Sequence, residues 1–450
     1  MKKKIFYLAM VLFFLSTLAL IVYKYQQNVI KEPDNYYILE RTGAAAKSDE
    51  WTKVRSQAYT LIEAIQNNSK DIKPKTDLAI LYIQEARITG NYAYYDKAAM
   101  KYVNDALNID ASNFNAMVLK SLLYLSQHHF ADGLEMAQKA RTINPYNSYV
   151  YGLCVDGNVE MGNYKAAVND ADKMLSIRPD IRSYSRASYL REIYGDYPGA
   201  IEAMKMAVDA GYPGNEATEW ARIQLGHLYE NTGDLQNAAM HYTIALQERP
   251  GYAYALAGLG RIAAANKDYP KAIQYFKGAD TSVMDYSIKE ALADVYRQSG
   301  NKREADVLEN KVITAMKKEA TSGANDTNFG HYVDKELAYA YININDLDDA
   351  EKHALMEYNR RPDNIDVNEC LAWVYYSKGN YDKAVTYIKT ALKTNCKNPT
   401  LLCRAGLIYA KAGNKALAKS TLQTVLQTNA NIIGDLKAES RNTLLSLNKL

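Results

Sequence analysis

Short turn signals recur along this chain at nearly constant spacing, and no other feature narrows the possible folds so far. Gly162-Asn163-Tyr164, Gly195-Asp196-Tyr197, Gly233-Asp234-Leu235, Lys267-Asp268-Tyr269, Gly300-Asn301, Asn345-Asp346-Leu347, Gly379-Asn380-Tyr381 and Gly413-Asn414 are separated by 33, 38, 34, 33, 45, 34 and 34 residues. A fixed period of this length means one small unit used again and again, each unable to bury its apolar face without its neighbours. Pro145 and Pro179, 34 residues apart, add a unit at 113–146 with its turn near His128, and Gly90-Asn91-Tyr92 marks another with a slightly enlarged turn before Ala98. The expectation is ten units, with those turning at Gly90 and Gly300 imperfect.

Within a unit the residue types state their own reasons. The clearest copy reads Leu225-Gly226-x-x-Tyr229-x-x-x-Gly233-Asp234-x-x-x-Ala238-x-x-x-Tyr242-x-x-Ala245-x-x-x-x-Pro250. Apolar residues three and four apart predict two amphipathic helices. Gly226, like Ala372 and Gly406 in other copies, falls where the first helix must approach the second closely. Gly233 ends the first helix, Ala238 sits at the crossing on the second, and Pro250 stops that helix because it has no N–H to donate. A second copy runs from Leu371-Ala372 through Tyr375, Gly379-Asn380-Tyr381 and Ala384 to Ile388 and Ala391; a third has Gly406, Tyr409, Gly413, Asn414, Ala418 and Leu422.

This pattern resembles the tetratricopeptide repeat, whose Leu-Gly, Tyr, Ala, aromatic, Ala and Pro positions match at these spacings from residue 74 to about 429. The stretches 182–204 and 217–226 also look like a bacterial group of such proteins, with which no defined activity is associated. The resemblance implies an all-α fold, a right-handed α-solenoid of helical hairpins. The organisation expected is a cytoplasmic tip (1–4), a transmembrane signal anchor (5–23), a tether (24–43), an N-terminal helical segment (44–73), the array (74–430) and a capping helix (431–450). Two irregularities stand out: a Gly/Pro cluster at Gly211, Pro213 and Gly214, and a polar insertion at 321–330. The insertion reads equally as a hinge or as a contact loop.

The anchor rests on three lysines in residues 1–4, then nineteen residues without a charge at 5–23. A helix of that length would rise about 28 Å, near the thickness of a bilayer's hydrocarbon core. Ile21-Val22-Tyr23-Lys24 offers no small-residue cleavage site, which favours an uncleaved anchor over a secreted protein that loses its leader. Positive charge ahead of the span would place the repeats on the extracytoplasmic side of the inner membrane.

Several chemistries find no support. Lysine plus arginine (54) balances aspartate plus glutamate (51), so there is no electrostatic footprint for nucleic acid. Cys154, Cys370, Cys396 and Cys403 form no C-x-x-C pair, and the adjacent His128 and His129 point about 100° apart on a helix, so no metal or other cofactor is expected. Gly258-Leu259-Gly260 coincides with the repeat signature and follows no strand, so it is not a nucleotide loop. No catalytic residues and no enzymatic activity are expected. Cys370 and Cys403, one repeat apart, are read as buried free thiols in preference to a disulfide.

A repeat stack presents a concave surface formed by its first helices. Register places Tyr149, Arg182, Arg186, Tyr189, Trp220, His227, Tyr254, Arg261, Arg297, Tyr332, Lys335, Tyr339, Trp373 and Tyr376 on it, with Asp156, Glu290 and Glu369. Aromatics and arginines, the types enriched at binding hot spots, dominate this set. The expected partner is a protein or extended peptide; a polysaccharide is the alternative, because tyrosine and tryptophan stack on sugar faces. The family's carboxylate clamp is absent, since Lys335 is followed one turn later by Tyr339 and Arg186 lacks the accompanying asparagines.

Overall fold

The computed structural model describes residues 10, 13–18, 20, 35–323, 330–428, 430–432 and 434–449. Two compact units divide the chain, Met1–Ile38 and Leu39–Leu450. In the first, residues 13–18 form a helical run with Phe13 and Phe14 exposed. Among the described residues no helix is long and apolar enough to cross a membrane. That finding corrects the transmembrane signal anchor expected over 5–23, and with it the single-pass inner-membrane localisation. Residues 1–9, 11–12, 19 and 21–34 lie outside the described residues, as do 324–329 of the polar insertion.

The described part of the second unit is helical throughout. A short 3-10 turn (Gly43–Lys47) and α1 (Asp49–Asn67) lead into ten hairpins. These pair α2 (Ile72–Thr89) with α3 (Tyr92–Ile109), α4 (Phe114–Ser126) with α5 (Phe130–Ile143), α6 (Ser148–Glu160) with α7 (Tyr164–Ile177), α8 (Ile181–Ile193) with α9 (Tyr197–Asp209), and α10 (Glu216–Thr232) with α11 (Leu235–Glu248). They continue with α12 (Ala253–Ala265) and α13 (Tyr269–Asp280), α14 (Tyr286–Gln298) and α15 (Lys302–Gly323), α16 (Asp334–Asn343) and α17 (Leu347–Arg360), α18 (Ile365–Ser377) and α19 (Tyr381–Ala391), and α20 (Pro399–Lys411) and α21 (Lys415–Gln427). The final helix, α22 (Asp435–Asn448), packs on both helices of the tenth hairpin.

The recurring turn signal works in two steps. Its first residue leaves the helix in a left-handed conformation, as Gly379 does at φ +77°; His128, Lys267 and Asn345 hold the same conformation without being glycine. Its second residue caps the next helix. Asp196, Asp234 and Asn380 each accept a hydrogen bond from a backbone N–H one turn on, at 3.0, 3.1 and 3.2 Å, satisfying a donor that the helix itself leaves open. Packing then follows from small residues at the crossing. A Cβ on Gly226 would lie 2.4 Å from the ring of Tyr242, which is fully buried, and Ala238 and Ala245 beside it are also 0% exposed.

The chain's 38 tyrosines against 7 phenylalanines have a structural use. Buried ring bodies pack while hydroxyls tie one element to another. Tyr95 Oη accepts from the Leu39 N–H at 3.0 Å, Tyr252 Oη donates to Glu216 at 3.3 Å, and Tyr286 Oη donates to Glu319 at 2.9 Å.

The stack coils back on itself, and its successive turns touch. The turn of the first hairpin meets the link between the sixth and seventh, where the Met284 N–H donates to the Thr89 carbonyl at 2.9 Å. The turn of the second meets the link between the seventh and eighth: His128 Nδ1 lies 2.8 Å from the Tyr332 carbonyl, and His129 bonds Gly330. This places the end of the 321–330 insertion in a contact. At the third hairpin Arg361 pairs with Glu160, and the Ile365 N–H donates to Tyr164 Oη at 2.8 Å. At the fourth, Gly195 lies against the Asn395 backbone. At the fifth, the Asn431 N–H donates to the Glu230 carbonyl at 3.0 Å. Sequence separations of 201 and 204 residues recur across these contacts, which sets one superhelical turn at about six hairpins.

Candidate functional site

The first helices α6, α8, α10, α12, α14, α16 and α18 carry every sequence-expected groove residue except Tyr332, which lies in the link before α16. None of the fourteen is buried. Arg182, Tyr189 (42%) and Trp220 (36%) are exposed, and the rest are half-buried. Open area and local environment diverge at several of them. Tyr189 is water-accessible, yet burial, with Asp366 and Glu160 adding, holds its phenol well above the usual range. Burial first and the Arg261 charge second hold the His227 imidazole well below its usual value.

Four of the expected residues meet in one place. Trp220 and His227 from α10 and Tyr254 and Arg261 from α12 line a cavity of about 240 Å³ with Ile223, Phe276, Ser287, Ile288 and Ala291. Arg182 stands apart with its guanidinium 4.9 Å above the Tyr149 ring.

Several of the arginines are already engaged within the fold. Arg186 on α8 makes a two-point pair with Asp156 on α6, at 2.8 and 2.6 Å. Arg261 reaches back to Glu230 on α10 at 3.0 Å, and also donates to His227 Nε2 (3.0 Å) and Tyr242 Oη (3.1 Å). Arg297 binds Asp294 at 2.8 Å and Glu309 at 2.5 Å. Arg186 and Arg261 thus join an arginine on one first helix to a carboxylate on the previous one, and they are part of what holds the hairpins in register.

Sequence reasoning missed Arg404. It donates to Glu369 at 2.8 Å and to Tyr339 Oη at 3.0 Å, and lies over both Tyr339 (4.8 Å) and Trp373 (5.2 Å). Trp373 stacks in turn on Tyr376, whose hydroxyl donates to Glu439 on α22 at 2.8 Å. The signal was present as spacing: the carboxylate precedes the arginine by 30, 31 and 35 residues in the three inter-hairpin pairs. Tyr332 belongs to the contact between turns, stacked on His129 at 4.1 Å with Arg360 4.2 Å above its ring.

Carboxylates on α14 are less well served. Glu290 has one oxygen buried without a hydrogen-bond partner. Burial, followed by repulsion from Asp294 and Glu336, pushes it up to about 8, and burial pushes Asp294 up to about 6 against the pull of Arg297. On α16, Glu336 Oε2 is buried without a hydrogen-bond partner, while Lys335 Nζ lies 3.9 Å from the other oxygen, Oε1. All four cysteines are buried and free, including Cys370 and Cys403. Burial pushes the thiols of Cys154, Cys370 and Cys396 up to about 12, which leaves them unreactive at neutral pH. Among the described residues no cluster of histidine, cysteine and carboxylate side chains fits a metal ion.

A family model for the tetratricopeptide repeat matches residues 223–287 and 371–430. No curated protein matches the chain. Among solved structures it is similar to the human IFIT1 dimer with PPP-AAAA, at 16% identity over 72% of this chain and 73% of that one, with a TM-score of 0.47. It is similar also to a tetratricopeptide repeat protein from Parabacteroides merdae (18%, 60% and 99%, TM-score 0.34) and to a thermophilic protein of the same repeat type from Thermus thermophilus (16%, 46% and 98%, TM-score 0.36). Identities at this level carry nothing about activity or partners to this chain.

Proposed function

We propose that this tetratricopeptide-repeat chain is a non-catalytic scaffold that holds an extended polypeptide segment along the wall formed by its first helices. The observation that carries this reading is the cavity beneath Trp220. Groups from three successive first helices, α10, α12 and α14, converge on it, and its lining mixes aromatic and aliphatic surface with a few polar groups, the composition of a recognition pocket. Trp220 and Tyr189 supply exposed aromatic area on adjacent hairpins at low conformational cost.

Short linear peptides selected from a random library on the full chain provide the probe. Replacing Trp220 and Tyr189 together with alanine is expected to weaken those peptides by about tenfold or more, since a lost hot-spot anchor costs roughly 2 kcal/mol. The melting temperature should move little, because both side chains are at the surface. Peptide affinity unchanged in the double variant would overturn the reading.

A further inference from the structure

Each hairpin carries its turn at one edge of the stack and its link to the next hairpin at the other edge. Coiling seats the turns of the first five hairpins on links further along the chain. Two sets of the same parts are left over: the links of the first hairpins and the turns of the last. We propose that this chain binds a second copy of itself head to tail, with the links at the start of one copy seated on the turns at the end of the other.

Seated and unseated turns differ at one residue. A Cβ on Gly90, Gly162 or Gly195 would strike the backbone of Met284, Asp363 or Asn395. Gly300, Gly379 and Gly413 hold the same place in the seventh, ninth and tenth turns, and among the described residues a Cβ on any of them would meet nothing within 4 Å. Links show the same contrast. Where a turn covers them, Val283, Asn364 and Cys396 are buried. In the uncovered links, Tyr146 between α5 and α6 is 82% exposed and Tyr212 between α9 and α10 is 84% exposed, and Ile109 and Ile143 lie open at the ends of α3 and α5.

Arginine repeats the comparison at a single position, the residue that follows a second helix. Arg249 pairs with Glu50 at 3.1 Å and Arg361 with Glu160, carboxylates 199 and 201 residues away. Arg178 stands in the same position after α7, but its side chain is 73% exposed and its ion pair is the local one to Asp180, at 3.5 Å. An edge with exposed tyrosines and isoleucines marks a contact surface, and the partner that fits it is the one whose turns already cover such links within the chain. Because the two edges differ, the contact is heterologous, and a pair joined this way keeps one free edge at each end.

Sedimentation of the full chain tests this, with Tyr146→Arg and Tyr212→Arg altering the link edge and Ser299→Arg and Ala412→Arg altering the turn edge. The native chain should associate as its concentration rises. Each double variant alone should associate about tenfold or more weakly, with a melting temperature close to native. An equimolar mixture of the two variants should form a one-to-one pair and nothing larger, since each keeps the edge that the other has lost. A native chain that stays single at every concentration, unchanged association in either variant, or a mixture no more associated than its components would overturn the inference.

Discussion

Asp96 shows at the scale of one residue what contact between turns costs. Its side chain is buried, with Oδ2 accepting from Ser126 Oγ at 2.7 Å. It lines a cavity of about 230 Å³ shared with Gln127, Glu319 and His331. Burial pushes the carboxyl from 3.8 to about 7. The folded chain therefore keeps a proton that the unfolded chain releases near pH 4. Stability from this group is lost as pH rises from about 4 to about 7, and the whole penalty, at most about 4 kcal/mol, stands above that range. Neighbouring histidines act in both directions. The Glu319 carboxylate, outweighing burial, raises His331, whose contribution is lost as pH rises through its folded value; burial and the His331 charge take His128 down to about 3, which costs stability as pH falls below about 6.5. The difference between the native chain and Asp96→Asn isolates the carboxyl. The variant should gain more in thermal stability at pH 8 than at pH 5, and an equal change at both pH values would refute the assignment.

Helices and hairpins were the most legible level, because their determinants are local. Gly226 and Gly379 were assigned different jobs on register alone, and the structure separates them physically: a Cβ on Gly226 would strike the Tyr242 ring, whereas one on Gly379 meets nothing within 4 Å but sits at φ +77°. Gly226→Ala should cost about 1–3 kcal/mol through overpacking. Gly379→Ala should cost about 1–2 kcal/mol through backbone strain. Gly379→Asn should recover part of that loss, since asparagine tolerates the left-handed region, whereas Gly226→Asn should be at least as harmful as alanine. Urea denaturation of the four variants checks this, and an asparagine that helps at both positions or at neither would show the two roles to be wrongly divided. The inner-wall arginines were harder to read. Register placed Arg186 and Arg261 on the correct face, but exposure of a face does not say whether a charge on it is free. Their carboxylate partners lie one hairpin upstream, and Arg404 was missed because the expected wall ended at Trp373 and Tyr376 on α18, one hairpin before the helix that carries it.

Coiling of the helical unit Leu39–Leu450 lay beyond the sequence for a definite reason. The rotation from one hairpin to the next is small and is set by side-chain packing at every interface, so six of them must accumulate before Glu160 meets Arg361, 201 residues away. No local pattern records that sum. Its consequence is thermodynamic. An open stack couples only neighbouring repeats and can lose its ends piecemeal; contacts between turns bind the first five hairpins to the seventh through tenth and to the segment preceding α22, so that fraying at either end also breaks contacts in the middle. Arg361 and Asn364 are the place to test this, since Arg361 pairs with Glu160 and Glu357, and Asn364 Nδ2 donates to the Glu160 carbonyl at 3.0 Å. In Arg361→Ala with Asn364→Ala, urea unfolding followed by circular dichroism should broaden or split into two steps, with a lower apparent slope than the native transition. Small-angle scattering below the transition should show a larger radius of gyration, because hairpins freed from the contact relax outward. A single transition of native slope together with native dimensions would mean that the turns touch without holding one another.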